Sequence, residues 1–333
     1  MEQENNYKYT PLAEPIPITE QVWPEGTLPL VHTRTMTFMH EDYIRDCIEG
    51  ILMQRTTFPV HVLIHDDAST DKTAEIVKEY EIKYPKLIKA YYQTENSHSK
   101  TDRDESRMVF FSWRIGKYEA MCEGDDYWID PYKLQKQVEF LERNPKYSAV
   151  FGQVIKRNEI KRTEKLTRFK KKDYNMFDVL SGLMPGIQNI CIRCEVAKFL
   201  PDVKSNGDLK IYYACAKWGP LAYIDEITAV YRLTGKGASS GRPEDKVLEI
   251  AINHRYEFHK QLGFPNNRAL IISQVKSFLP HMYRNFSVKH ILKTFRLLKI
   301  YKVNNVLFYP FYIYYSIVFI LNTLIRKVST GNN

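Results

Sequence analysis

The sequence predicts an α/β protein, with a mixed, mostly parallel sheet covered on both faces by helices and a C-terminal helical tail that is basic and then apolar. Three observations predict it. Apolar runs of strand length alternate with segments of helical spacing over residues 30–143. Two of those runs end in clustered carboxylates, and the carboxyl ends of strands are where such sheets bind ligands. The charge is also divided: the tail from residue 265 holds ten of the 48 Lys/Arg and no acid, leaving 38 basic against 39 acidic residues over 1–264. The body is therefore nearly neutral, and the formal charge of +9 belongs to the tail.

The elements follow in order. Pro11, Pro15, Pro17 and Pro24 make residues 1–28 an extended lead-in. Residues 30–36 read as a strand, and Tyr43, Ile44, Cys47, Ile48, Ile51 and Leu52 give residues 43–54 one apolar helical face. Residues 60–64 form a second strand; Ser69 or Thr70 can cap a helix over 71–84, which Pro85 closes. Strands over 87–92 and 118–122 follow, and Pro131 opens an amphipathic helix over 132–143. Beyond it come strands over 149–154, 188–193 and 221–231, and helices over 209–218 and 245–262. The basic stretch 155–172 reads as a solvated loop or hairpin.

In the tail, Val288, Ile291, Leu292, Phe295 and Leu298 alternate with Lys289, Lys293, Arg296 and Lys299, a basic amphipathic helix suited to anionic lipid. Residues 303–325 carry no charge, long enough to span a bilayer or to lie on it. Membrane association through residues 265–333 is the expectation. The aromatics there follow an amphipathic face and not a stacking platform, so no nucleic-acid partner is expected. Five cysteines, an odd number spread along the chain, fit a reducing compartment. Cys191 and Cys194 are a lone C-x-x-C in an apolar strand-like run, without the second pair or histidines of a zinc site. The N-terminus shows no apolar signal-peptide core.

Two segments carry the chemistry. Asp66-Asp67-Ala68-Ser69-Thr70-Asp71 lies where a strand ends and a helix begins; Ser69 and Asp71 serve as helix caps, but adjacent Asp66 and Asp67 repel unless a ligand engages them. Glu123-Gly124-Asp125-Asp126 follows another strand. Three acids in four positions, with a glycine that lets the backbone approach, can hold a divalent metal completed by phosphate oxygens.

Taken with Gly116-Lys117-Tyr118, Tyr127-Trp128-x-Asp130-Pro131 and Lys133-Leu134-Gln135-Lys136-Gln137, these segments resemble the nucleotide-sugar domain of family 2 glycosyltransferases, of the bacterial surface-polysaccharide type. The resemblance covers about residues 29–240 and implies the GT-A fold, a Rossmann-like arrangement, over 29–264. It implies a UDP-sugar donor held by Thr37, Asp66, Asp67 and Asp125, and a divalent cofactor, Mn or Mg, at Glu123, Asp125 and Asp126, with Asp126 the direct ligand. Asp208, in Asn206-Gly207-Asp208-Leu209, would be the base that deprotonates the acceptor, and Gly186, Gln188 and Asn189 would contact that acceptor. A single base suits inversion by in-line displacement. Met36-Thr37-Phe38-Met39 stand where similar proteins carry Pro-Thr-Tyr-Asn, and Leu233-Thr234 where relatives place a histidine; Arg34 within the first strand is unusual. The Gln-x-x-Arg-Trp of processive enzymes is absent, which implies transfer of one sugar. The expectation is a metal-dependent inverting transferase at the cytoplasmic face of the inner membrane, acting on a lipid-linked or oligosaccharide acceptor. A nucleotidyltransferase of related fold, or a non-catalytic nucleotide-binding scaffold, is the alternative.

Overall fold

The computed structural model describes residues 7–96, 105–169, 171–180, 185–202, 207–235, 258 and 261–262. The tail 265–333, Asn206 and most of the helix expected over 245–262 lie outside the described residues. In chain order the elements are β1 (Ile16–Pro17), β2 (Val31–Thr37), α1 (Ile44–Leu52), β3 (Arg55–Thr56), β4 (Val60–Asp66), α2 (Thr73–Lys83), β5 (Ile88–Tyr92), α3 (Glu105–Ser112), β6 (Tyr118–Met121), β7 (Tyr127–Trp128), α4 (Lys133–Arg143), β8 (Ala149–Asn158), β9 (Thr163–Thr167), β10 (Asp173–Tyr174), α5 (Met176–Leu180), β11 (Ile190–Arg193), α6 (Gly207–Trp218) and β12 (Leu221–Leu233).

One sheet runs in the order β10-β12-β8-β11-β6-β2-β4-β5, with β7 added to β12 and β9 to β8. The β6-β2-β4-β5 half is parallel throughout, as the β-α-β-α-β pattern predicts. The other half is mixed: β12 runs parallel to β8, but β11 is antiparallel to both β6 and β8. Each face has its own apolar layer. Val31, Val62, Ile64 and Ala120 pack with Ile44, Ile48, Ile51, Ile76, Val77, Val138 and Leu141 of α1, α2 and α4. Met121, Phe151, Ile190 and Ile192 pack with Tyr212, Ala214 and Cys215 of α6. The alternation of side chains along a strand sends neighbouring residues to opposite layers.

The differences from expectation have physical causes. β4 continues past its apolar run to Asp66, because Asp66 still pairs with Thr37 on one side and Tyr92 on the other. Helix α3 carries its apolar residues bunched at Met108–Phe111 and lacks the spacing that would announce a helix. Phe110 and Trp113 nevertheless cover the sheet at the β4-β5 edge, Phe110 edge-on to His65 at 5.2 Å and Trp113 to Tyr91 at 6.0 Å. The basic stretch 155–172 contains a true hairpin, β8 against β9. The lead-in is extended and also pinned to the body: β1 pairs with β3, and Ile18 is buried.

Candidate active site

The carboxyl ends of β2, β4 and β6 open into three loops, and their hydrogen bonds knit these loops into one rim. Asp67 N–H donates to the Thr37 carbonyl at 3.0 Å and Gly124 N–H to the Met36 carbonyl at 3.0 Å, which ties the loops after β4 and β6 to the end of β2. Met39 N–H donates to Ser69 Oγ, His40 N–H to Thr73 Oγ1 and Glu41 N–H to Asp71 Oδ2. Met39 and Ala68 both have positive φ, 57° and 61°, at the two bends of this weave.

Asp66 spends its carboxylate on its own turn, accepting from Ser69 N–H at 3.0 Å and Ser69 Oγ–H at 2.5 Å. Asp71 closes the first turn of α2 by accepting from Thr73 N–H and the Thr73 hydroxyl. Asp67 is also buried, its carbonyl accepting from Asn96. Thr37 is buried with its hydroxyl 3.2 Å from His40 Nδ1, and His40 Nε2 lies 4.0 Å from Asp125. A side chain at Gly124 would put its Cβ 2.6 Å from Thr37 Oγ1 and 2.8 Å from His40 Nδ1. Only glycine fits there, the role its place between the acids predicts.

The acidic loop is held from outside by β12. Asp126 is 1% exposed and its Oδ1 accepts from Arg232 N–H at 2.8 Å. The Arg232 guanidinium pairs with Asp46 and Glu159, reaches the Asp125 carbonyl, and stacks 4.2 Å over the Tyr127 ring. Burial, then the neighbouring charge of Asp125, holds the Asp126 carboxyl well above the ordinary range. Glu123 is pushed up to about 8 by burial and by Asp208 and Asp125, against the pull of Arg34. Asp208, at the first turn of α6, is likewise raised by burial, with Arg34 opposing. The electrostatic coupling of Glu123 to Asp208 brings together two residues 85 positions apart in the chain.

Arg34 explains its own oddity. Its Nε donates to Glu119 Oε1 at 2.7 Å, and its charge also favours ionised Glu123 and Asp208. Glu119 is fully buried and further engaged by Arg114 and by His32 at 3.1 Å. Gly116 N–H donates to His32 Nδ1, so the ring proton sits on Nε2 and points at Glu119. His32, Glu119 and Cys194 form the one cluster among the described residues whose ligand atoms lie within 4.8 Å of one another. Two guanidiniums already neutralise Glu119 there, and burial raises the Cys194 thiol, so a cation would meet repulsion and a protonated sulfur. Cys191 is buried on β11, within the strand expected of it.

Gln188 and Asn189, expected as acceptor contacts, are buried in the turn before β11. The Asn189 amide donates to the Gly152 carbonyl and accepts from Gly152 N–H and the Thr228 hydroxyl, and the Gln188 carbonyl accepts from Trp128 Nε1 at 2.7 Å. These bonds fix β8, β12 and β7 at the floor. The Gly186 amide group packs against the Gln188 side chain, where a Cβ would fall 2.4 Å from Gln188 Oε1. Reading the sequence did not single out His40, Asp46 or Arg232 as site residues. His40 directly follows the first strand's loop, the signal that could have marked it; Arg232 lies in a strand with nothing to distinguish it.

Comparison with known proteins agrees with this geometry. The family model described as glycosyl transferase family 2 matches residues 35–199. The uncharacterized protein Rv1520 of Mycobacterium tuberculosis is 33% identical over 208 residues, which cover 61% of this chain and 58% of that protein. The chain thus spans less than two thirds of the mycobacterial relatives it matches. The putative teichuronic acid biosynthesis glycosyltransferase TuaG of Bacillus subtilis is 28% identical over 64% of this chain and 83% of its own. Among solved structures, residues 1–349 of S. aureus TarS in complex with UDP-GlcNAc superpose with a TM-score of 0.55 at 16% identity, covering 78% of this chain and 76% of that one. The family match gives the chain a family 2 glycosyl transferase domain over residues 35–199, and the relatives and the type of sheet agree with it.

Proposed function

We propose that the protein transfers one sugar from a nucleotide-sugar donor, a UDP-sugar, to a lipid-linked or oligosaccharide acceptor during cell-surface polysaccharide synthesis, with inversion. The observation that carries this reading is the convergence of Asp208 with Glu123, Asp125 and Asp126 at the carboxyl ends of the sheet. The UDP-GlcNAc and UDP bound in the TarS structures and the name of TuaG support the donor class and the pathway.

The residues present fit a divalent cation by their chemistry, although the carboxylate oxygens of Glu123, Asp125 and Asp126 do not all lie within 4.8 Å of one another. All the donors are carboxylate oxygens, the hard ligands that Mg and Mn take, and burial among like charges raises Glu123 and Asp126, a cost that a dication would remove. Asp126, with Asp125 and Glu123 beside it, would hold it; when bound, the metal supplies neutralisation of the departing diphosphate. The protein's own groups do the rest. Asp67 and Thr37 border the place of the nucleoside, and Asp66 shapes that loop through Ser69. Asp208 accepts the proton of the attacking hydroxyl, and burial makes it a stronger base than a surface aspartate. Attack opposite the leaving diphosphate inverts the anomeric centre. The basic amphipathic tail would hold the protein at the cytoplasmic face of the membrane, where a lipid-linked acceptor resides.

The test is calorimetric titration of UDP with and without manganese. Metal-dependent binding that disappears in Asp126→Ala establishes the donor site; binding of GDP alone overturns the donor class, no nucleotide binding overturns the donor site itself, and nucleotide binding without transfer leaves the scaffold reading. Sedimentation of the full chain with membranes, compared with a form ending at residue 264, tests the role of the tail.

A further inference from the structure

The β8-β9 hairpin carries a pattern of charge that its fold does not require. Lys156 and Lys165 stand directly opposite each other across the two strands, the arrangement in which like charges destabilise a sheet. Burial, and after it the charge of Lys165, lowers the Lys156 ammonium below its usual range. One register on, Arg157 and Glu164 form the favourable cross-strand pair at 2.7 Å, so the fold can place opposite charges here. The two acids of the hairpin are both consumed, Glu164 by Arg157 and Glu159 by Arg232. Among the described residues no carboxylate forms an ion pair with Lys156, Lys161, Arg162 or Lys165. At the tip, between Glu159 and Lys161, Ile160 is 71% exposed. An exposed apolar tip on a hairpin that carries cations without carboxylate partners suits an interface of acyl chain and phosphate; a soluble polyanion could meet the cations but would leave Ile160 in water.

The hairpin is joined to the site. Glu159 N–H donates to the Leu233 carbonyl, and Glu159 pairs with Arg232, the residue that holds Asp126 and Asp125. Lys156 also lies 5.6 Å from the ring of Tyr231, whose hydroxyl feels the charges of Asp126, Asp125 and Asp208.

From these observations we infer that the β8-β9 hairpin is a membrane-contact element, its tip Ile160 entering an anionic lipid surface while Lys156, Lys161, Arg162 and Lys165 meet the lipid phosphates. Its purpose rests on the reading of a membrane-borne acceptor, but lipid contact itself can be measured without any transfer reaction. Ile160→Cys in the full chain, labelled with an environment-sensitive dye, reports on the tip alone, whatever the tail does. The dye should shift to the blue with vesicles of phosphatidylcholine containing phosphatidylglycerol and not with phosphatidylcholine alone. Each of Lys156→Gln and Lys165→Gln should weaken that response about fivefold, the equivalent of about 1 kcal/mol per lysine near a membrane. Lys165→Glu should also weaken it while raising the melting temperature, since it gives Lys156 an opposite charge. UDP binding should persist in all three variants, which separates this result from failure of the donor assignment. A protein that sediments with vesicles without a dye shift, or a shift produced equally by soluble polyphosphate, would overturn the inference.

Discussion

Asp208 and Gly124 bear the two sharpest expectations for single residues. Asp208→Asn keeps the shape of the site but removes the base, so transfer should fall by about 10²–10⁴-fold while UDP affinity stays unchanged, as turnover and calorimetry on one preparation will show. Gly124→Ala places a methyl 2.6 Å from the Thr37 hydroxyl, and the loop after β6 must move away from β2. Weaker donor binding with a stability loss of about 1–3 kcal/mol is expected, read by urea denaturation beside calorimetry. Gly124 could be read from the sequence, because acids around a glycine at a strand end have few structural uses; Asp208, at the start of α6, is marked only by the family resemblance. His40 and Arg34 could not be read so. The meaning of Arg34 depends on Glu119, 85 positions away, and that of His40 on a hydroxyl and a carboxylate from different loops.

The elements follow the same division. Strands and helices with regular apolar spacing, β2, α1, β4, α2 and α4, lie within a few residues of their expected bounds, since burial of one face is a local signal. Two-residue strands such as β7 and β10 carry no such signal, and they exist because β12 offers them a partner. β12 itself extends to Leu233, past its apolar run, and this extension delivers Arg232 to the acidic loop. Arg232→Gln should therefore act on two measurements at once. With Asp46 and Glu159 partly exposed, its loss should cost about 2 kcal/mol of stability, and UDP affinity should fall because the guanidinium no longer reaches the Asp125 carbonyl, while the backbone N–H at 232 still holds Asp126.

At the scale of the whole molecule, the buried charges set how stability follows pH. The Arg114 and Arg34 guanidiniums, working against burial, hold the Glu119 carboxyl well below its ordinary range. Its contribution is present above the unfolded carboxylate pKa and is lost as pH falls toward the folded value. His61 is lowered to about 4 by burial and by the nearby His32 and Lys89, so it too binds its proton more readily in the unfolded chain. Stability should therefore decline as pH falls from about 6.5 to about 4, the span between the unfolded and folded histidine values. Melting temperatures across that span should show the decline, and His61→Phe should flatten it; an equal slope in the variant would remove His61 as the cause.

The order of the sheet also bears on how the chain is made. β11 fills the gap between β6 and β8, and β12 reaches the acidic loop from the far side, yet both are synthesised after the parallel strands and the acids they support. A nascent chain that has emerged only through α4 has its helices and the β6-β2-β4-β5 ladder but an open edge at β6, and its Asp126 lacks the Arg232 amide. On the proposed reading, donor binding should therefore require β12, since a prematurely ended chain would carry the acidic motif without the Arg232 amide from which Asp126 accepts.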